Sequence, residues 1–136
     1  VALIDMAYHA RPNGPEEPLR FEAETLDKLD MPDTIAMRHR TPHFGHVFSG
    51  DGYSAGYYSY MWSEVLDADA FAAFEETGDA FNREMAAKLK DNIYSTGGSL
   101  DPEDAYKGFR GKLPSPNAML VKKGLATFKE LSGSDA

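Results

Sequence analysis

The stretch from Phe44 to Val65 constrains this chain more than any other part of it. Four of the seven tyrosines fall between Tyr53 and Tyr60, and four glycines, Gly45, Gly50, Gly52 and Gly56, stand around them. Glycine at that density costs folding entropy, so a loop built of it is often a mobile or close-approach element. From about Ala55 the pattern turns helical and runs to about Glu76. On a helix, Tyr53, Tyr57 and Tyr60 share one stripe at i, i+4, i+7, while Tyr58, Trp62 and Val65 share another. The two stripes predict Tyr53 and Tyr60 on one open side, and Tyr58, Trp62 and Val65 buried in a core. If Tyr53 belongs to the loop instead, the first stripe shortens to Tyr57 and Tyr60. Aromatics at helical spacing are ordinarily core. The glycines argue for more than packing here, because tyrosine hydroxyls are neutral donors suited to a developing oxyanion.

The other segments read as helices joined by marked turns. Val1, Leu3, Ile4, Ala7 and Tyr8 form a helical apolar pattern with no capping residue before it, so the chain is expected to begin inside a helix of something longer. Pro12, Gly14, Pro15 and Pro18 mark a loop, and Phe21 to Leu29 a short helix that Met31-Pro32 should end. Arg38 to Pro42 is a polar, basic loop. Asp79 is expected to cap a helix with the stripe Phe81, Met85, Leu89, Ile93, stopped by Gly97-Gly98. Asp101-Pro102-Glu103-Asp104 opens another, with Tyr106 and Phe109 facing inward and Gly111 ending it. Ser115-Pro116 starts the last, with Met119 and Leu120 inside and Gly124 past its end. After Ala126 a loose tail is expected. The predicted fold is all-α. Its parts are a helix and Pro-rich loops over 1–43, the Gly/Tyr loop over 44–60, helices over 61–126 and the tail over 127–136.

Charge and composition exclude several functions. The 136 residues carry a net charge of -8, so a nucleic-acid partner is not expected. No apolar run approaches the roughly 18 residues needed to cross a bilayer. There is no cysteine, hence no disulfide framework and no thiolate metal site, which fits a reducing compartment and a cytoplasmic location. His39, His43 and His46 resemble a metal cluster in spacing. Pro42 breaks any helix through them and no carboxylate stands at ligand spacing, so no metal site is expected in this chain. Gly50-Asp51-Gly52 lacks the strand, third glycine and lysine of a phosphate loop. The spacing of residues indicates no Ser-His-Asp or Cys-His arrangement.

The run from Phe44 to Val65, read residue by residue, resembles the substrate-binding glycine loop of the thimet oligopeptidase family of zinc metallopeptidases. Tyr94-Ser95-Thr96-Gly97-Gly98-Ser99, Phe109-Arg110-Gly111, Pro114-x-Pro116 and Lys123-Gly124-Leu125 resemble the segments that follow it in that family. The likeness spans roughly Ile4 to Leu125 and looks strongest toward the bacterial peptidyl-dipeptidases. It implies the C-terminal helical portion of a zincin-type catalytic domain, acting on peptide substrates. It also implies zinc held by a His-Glu-x-x-His motif that this chain lacks, so the remainder of the catalytic domain would be its partner. By resemblance Tyr60 would stabilise the oxyanion, His46 would hydrogen-bond substrate or transition state, Tyr53 would position substrate and Tyr57 would assist. Gly50 and Gly52 would let the loop close over varied peptides. Asp51 makes the interval from His46 to Tyr53 one residue longer than in the family pattern. An oligopeptidase with endopeptidase specificity, and a non-catalytic acidic helical binding module, are the alternatives.

Overall fold

A computed structural model describes residues 1–14, 17–127 and 131, and these are helical with no strand among them. The helices are α1 (Ala2–His9), α2 (Pro18–Lys28), α3 (Gly45–Phe48), α4 (Ser59–Glu75), α5 (Arg83–Leu89), α6 (Pro102–Arg110) and α7 (Asn117–Lys122). A 3₁₀ turn covers Thr41–His43, and α5 runs on into a π turn over Lys90–Tyr94. The chain divides into two compact units, residues 1–60 and 61–136.

The first unit is built on Ile4, Phe21, Met37, Phe44 and Val47, all buried. Tyr8 meets the edges of Phe21 and Phe48, with ring centroids 5.7 and 4.9 Å away. Two carboxylates lie in this apolar setting, Asp5 and Glu22, and both are satisfied, as buried charges must be. Glu22 accepts from the Thr41 backbone N–H at 2.6 Å and pairs with Arg40, which ties the 3₁₀ turn to α2. Helix α2 stops earlier than Met31-Pro32 requires. Asp30 adopts φ 51°, and the amides of Leu29 and Met31 both return to the Leu26 carbonyl.

In the second unit Ala73, Tyr106 and Phe109 form the buried centre, and Leu66, Ala70, Phe74, Met85, Leu89 and Ile93 pack against it. Helix α6 starts and ends as its sequence dictates. Asp101 accepts from the Glu103 N–H at 2.9 Å, and Gly111 closes the helix at φ 78°. Asp69, buried on α4, accepts from the Tyr106 hydroxyl at 2.8 Å and from Arg110 Nε at 3.2 Å. Arg110 also grips Glu76 with both terminal nitrogens, at 2.7 and 2.6 Å.

Several expectations are corrected. Phe81 is 89 % exposed, not part of the α5 stripe. The cap of α5 is Asn82, which accepts from the Met85 N–H, while Asp79 accepts from the Phe81 N–H in the turn before it. Phe81 therefore precedes the helix, and only Met85, Leu89 and Ile93 reach the core. Tyr58 and Trp62 are exposed as well, and Val65 only half-buried. Tyr58 lies before the first residue of α4, so it has no place on that stripe. The stripe that meets the core is Leu66, Ala70, Ala73 and Phe74. Trp62 is one turn N-terminal of Leu66 and lines a hollow of about 760 Å³ with Leu66, Ile93 and Tyr106. Pro15 and most of the tail beyond Ala126 lie outside the described residues.

Candidate active site

The Gly/Tyr loop does not begin the helix at Ala55, and its own backbone shows why. Ala55 sits at φ 57°, a left-handed conformation that costs an L-residue about 1–2 kcal/mol. Gly56 N–H bonds to the Tyr53 carbonyl, and Ser59 N–H to that of Gly56, so residues 53–58 are turns. The Ala55 and Tyr57 amides are held by Asp5 of α1, at 3.0 Å to Oδ1 and 2.9 Å to Oδ2. Two hydrogen bonds to a charged acceptor, about 1.5–3 kcal/mol each, outweigh the cost at Ala55. The helix starts only at Ser59.

The same corner contains His9 and Ser54. His9 Nδ1 lies 2.8 Å from Asp5 Oδ1, and its Nε2 lies 3.2 Å from Ser54 Oγ. Ser54 Oγ donates to the Val47 carbonyl at 3.1 Å, closing the neck of the loop formed by the residues between them. An Asp-His-Ser line thus exists that spacing did not indicate. The sequence signal for it is slight: a carboxylate beside Ile4 on an apolar helix, with histidine four residues on.

This scaffold brings His46, Tyr53, Tyr57 and Tyr60 together. Tyr60 Oη donates to Tyr53 Oη at 3.3 Å, and His46 Nε2 lies 3.3 Å from Tyr60 Oη. The Tyr53 and Tyr60 rings are parallel within 2°, with centroids 6.0 Å apart. His46 leans on Tyr53 at 4.2 Å, and Tyr57 stands edge-on to His46 at 5.9 Å. Tyr57 is half-buried and also meets the edge of buried Phe44. Its ring supports the array while Tyr53, Tyr60 and His46 are exposed. The one-residue extension at Asp51 does not keep Tyr53 from Tyr60. The hydrogen bond with Tyr53, reinforced by partial desolvation, raises the Tyr60 phenol above its ordinary range, so it keeps its proton.

Gly45, His46, Ser49, Gly50, Gly52 and Tyr53 line a shallow hollow of about 440 Å³ beside these rings. Gly50 is held at φ 156°. Gly52 has ordinary φ and open space where a Cβ would stand, so the fold by itself does not demand glycine there. With an exposed imidazole and two exposed phenols in mutual contact, the site can donate hydrogen bonds to a polar, uncharged group such as a carbonyl oxygen.

Comparison with known proteins gives the family. Residues 1–125 match the model of peptidase family M3, and the chain belongs to that family. It is 55 % identical over 126 residues to oligopeptidase A of Escherichia coli, covering 90 % of this chain and 18 % of that protein. It is 37 % identical over 128 residues to a dipeptidyl carboxypeptidase of Salmonella typhimurium, covering 91 % of this chain and 18 % of that protein. With a probable cytosolic oligopeptidase A of Arabidopsis thaliana the identity is 36 % over 129 residues, covering 91 % of this chain and 18 % of that protein. The chain therefore spans about a fifth of the length of these relatives.

The residues present do not fit the zinc ion that the family resemblance implies. Among the described residues no group of three or more His, Asp or Glu is placed to hold a metal ion. His39 stacks on Phe44, His46 meets Tyr60 and His9 meets Asp5. Among the described residues, no helix is long and apolar enough to cross a membrane.

Proposed function

We propose that this chain supplies the substrate-facing wall of a family M3 metallopeptidase, with Tyr60 as the principal donor to the scissile carbonyl. The observation that carries the reading is the exposed line His46–Tyr60–Tyr53, with both oxygen-to-partner distances 3.3 Å. With the proton on His46 Nε2, that nitrogen donates to Tyr60 Oη and so polarises the phenol toward its own acceptor. Rotation of the Tyr60 hydroxyl toward a bound peptide carbonyl costs little, because the side chain is exposed. The hydrogen bond strengthens as negative charge develops on that oxygen, which favours the transition state over the ground state. Tyr53 and His46 orient the peptide, Tyr57 holds the rings in place, and Gly50 and Gly52 leave the backbone bare where varied side chains must pass. Zinc belongs to residues outside this chain, in the remainder of the catalytic domain.

Identity of 55 % to oligopeptidase A against 37 % to dipeptidyl carboxypeptidase favours an oligopeptidase that cleaves within short peptides. Removal of C-terminal dipeptides, the specificity the sequence resembles, is the second reading. Product analysis on one peptide with a free and with an amidated C-terminus separates them in the complete protein. Internal cleavage of both forms supports the first reading. Stepwise loss of dipeptides from the free form alone supports the second. Absence of any peptide hydrolysis by the zinc-loaded complete protein overturns the proposal.

A further inference from the structure

We propose that Asp5, working through His9 and Ser54, is a positioning residue that fixes the substrate loop in its peptide-gripping shape. The inference rests on the proposed function and adds a residue group that touches no substrate.

Asp5 is 1 % exposed and lies on α1, far along the chain from the loop. Its carboxylate accepts from the Ala55 and Tyr57 amides, while His9 Nδ1, hydrogen-bonded to the Asp5 main-chain carbonyl at 3.0 Å, also lies 2.8 Å from Oδ1. These attachments bracket the only described residue between 50 and 60, other than glycine, with positive φ. Ser54, next to it, closes the loop neck onto Val47 and meets His9 Nε2. So three anchor points, at 54, 55 and 57, follow directly on Tyr53 and precede Tyr60. Tyr60 is additionally fixed as part of α4; Tyr53 is not, since it lies in the loop. The Asp-His-Ser line is an anchor and not a nucleophile: the Ser54 hydroxyl is spent on a backbone carbonyl, and the Asp5 oxygens on backbone amides.

The chemistry calls for a carboxylate. Both Asp5 oxygens accept from a main-chain N–H, so an isosteric amide leaves one of those N–H groups facing an NH₂. The loop then samples conformations in which Tyr53 is displaced, and peptide must select the competent fraction, which raises the apparent dissociation constant in proportion. Once peptide is bound, Tyr60 still donates from its helix. A purely structural role would behave otherwise: lost folded enzyme lowers kcat and leaves KM alone.

The test uses the complete protein with Asp5→Asn and, independently, Ser54→Ala. Amide hydrogen exchange is read at Ala55 and Tyr57, with Thr25 of α2 as control. Kinetics are read on one quenched peptide. For Asp5→Asn the expected results are exchange about tenfold faster at 55 and 57, an unchanged rate at 25, and KM up about tenfold with kcat within about threefold. Ser54→Ala should move both in the same direction by about threefold, and it decides the matter if Asp5→Asn does not fold. Unchanged exchange at 55 and 57 overturns the proposal. So does faster exchange with unmoved KM, or a fall in kcat at constant KM. If the parent cleaves no peptide, the proposed function fails by itself, and the exchange measurement alone upholds or overturns the anchor.

Discussion

Tyr60 is a neutral phenol, and donating to Tyr53 holds its proton more firmly still; a neutral phenol is what an oxyanion needs as a donor. Changing Tyr60 to Phe in the complete enzyme removes that donor and leaves the ring. The loss of one such donor costs about 3 kcal/mol of transition-state stabilisation, so kcat should fall about a hundredfold with KM little changed. Tyr53→Phe should move KM and kcat together, since in the proposed function Tyr53 orients the peptide from the loop. Steady-state kinetics of both variants on one peptide check this; a Tyr60→Phe kcat within about twofold of the parent removes the oxyanion role. The glycines divide in the same way. Alanine at position 50 must adopt φ 156°, whereas at position 52 it meets nothing. Gly50→Ala should therefore raise KM severalfold, and Gly52→Ala should leave it near the parent value, unless bound peptide itself fills the space over Gly52. At this scale the phenols were legible from their clustering. Asp5 was not, because a single buried carboxylate leaves no periodic trace: its partners lie 50 and 52 residues away.

Elements were legible where local chemistry decides them. Asp101-Pro102 and Gly111 bound α6 in the sequence and in the structure alike, since a cap and a left-handed glycine act over a single turn. The start of α4 was not legible, because it is set by Asp5 reaching across from α1. Nor was the start of α5, where Asn82 outcompetes Asp79 as cap and Phe81 is left in water. Packing between α4 and α6 carries a pH signature that sequence could not supply. Burial, together with the hydrogen bond to Asp69, raises the Tyr106 phenol well above its ordinary value of 10.0. A group bound more tightly to its proton in the folded state stabilises fully below its unfolded pKa and loses that contribution as pH rises. Tyr106→Phe should therefore cost about 2 kcal/mol at neutral pH, the size of a buried hydrogen bond to a charged group. The difference between parent and variant should shrink as pH climbs above 10, because the parent alone loses this contribution. Urea unfolding of both at neutral pH and at pH 11 checks this, and a constant difference would remove Tyr106 ionisation from the account.

For the whole molecule, helical periodicity told which residues share a face but not which face finds a partner. Trp62 shares the core stripe of α4 and still stands exposed at the edge of a hollow. Metal binding depends in the same way on which side chains find one another. A catalytic zinc takes three protein ligands, and thiolate is absent from this chain. His9 is enclosed by Asp5 and Ser54, His39 lies flat on Phe44, and His46 faces Tyr53 and Tyr60 rather than another donor of metal-ligand type. Bringing three of them to one ion would dismantle the Asp5 anchor or pull His39 off Phe44, and the ion would repay that only with strong ligands. The 136-residue chain should therefore hold zinc more weakly than about micromolar. On the proposed function the ligand set lies in the complete protein, which should retain zinc through dialysis at one equivalent. Equilibrium dialysis of both against buffered zinc, read by elemental analysis, separates the outcomes. One tightly held equivalent in the short chain would mean that a donor set assembles from residues the fold now uses elsewhere, and His46 would then have to be reassigned from hydrogen-bond donor to ligand.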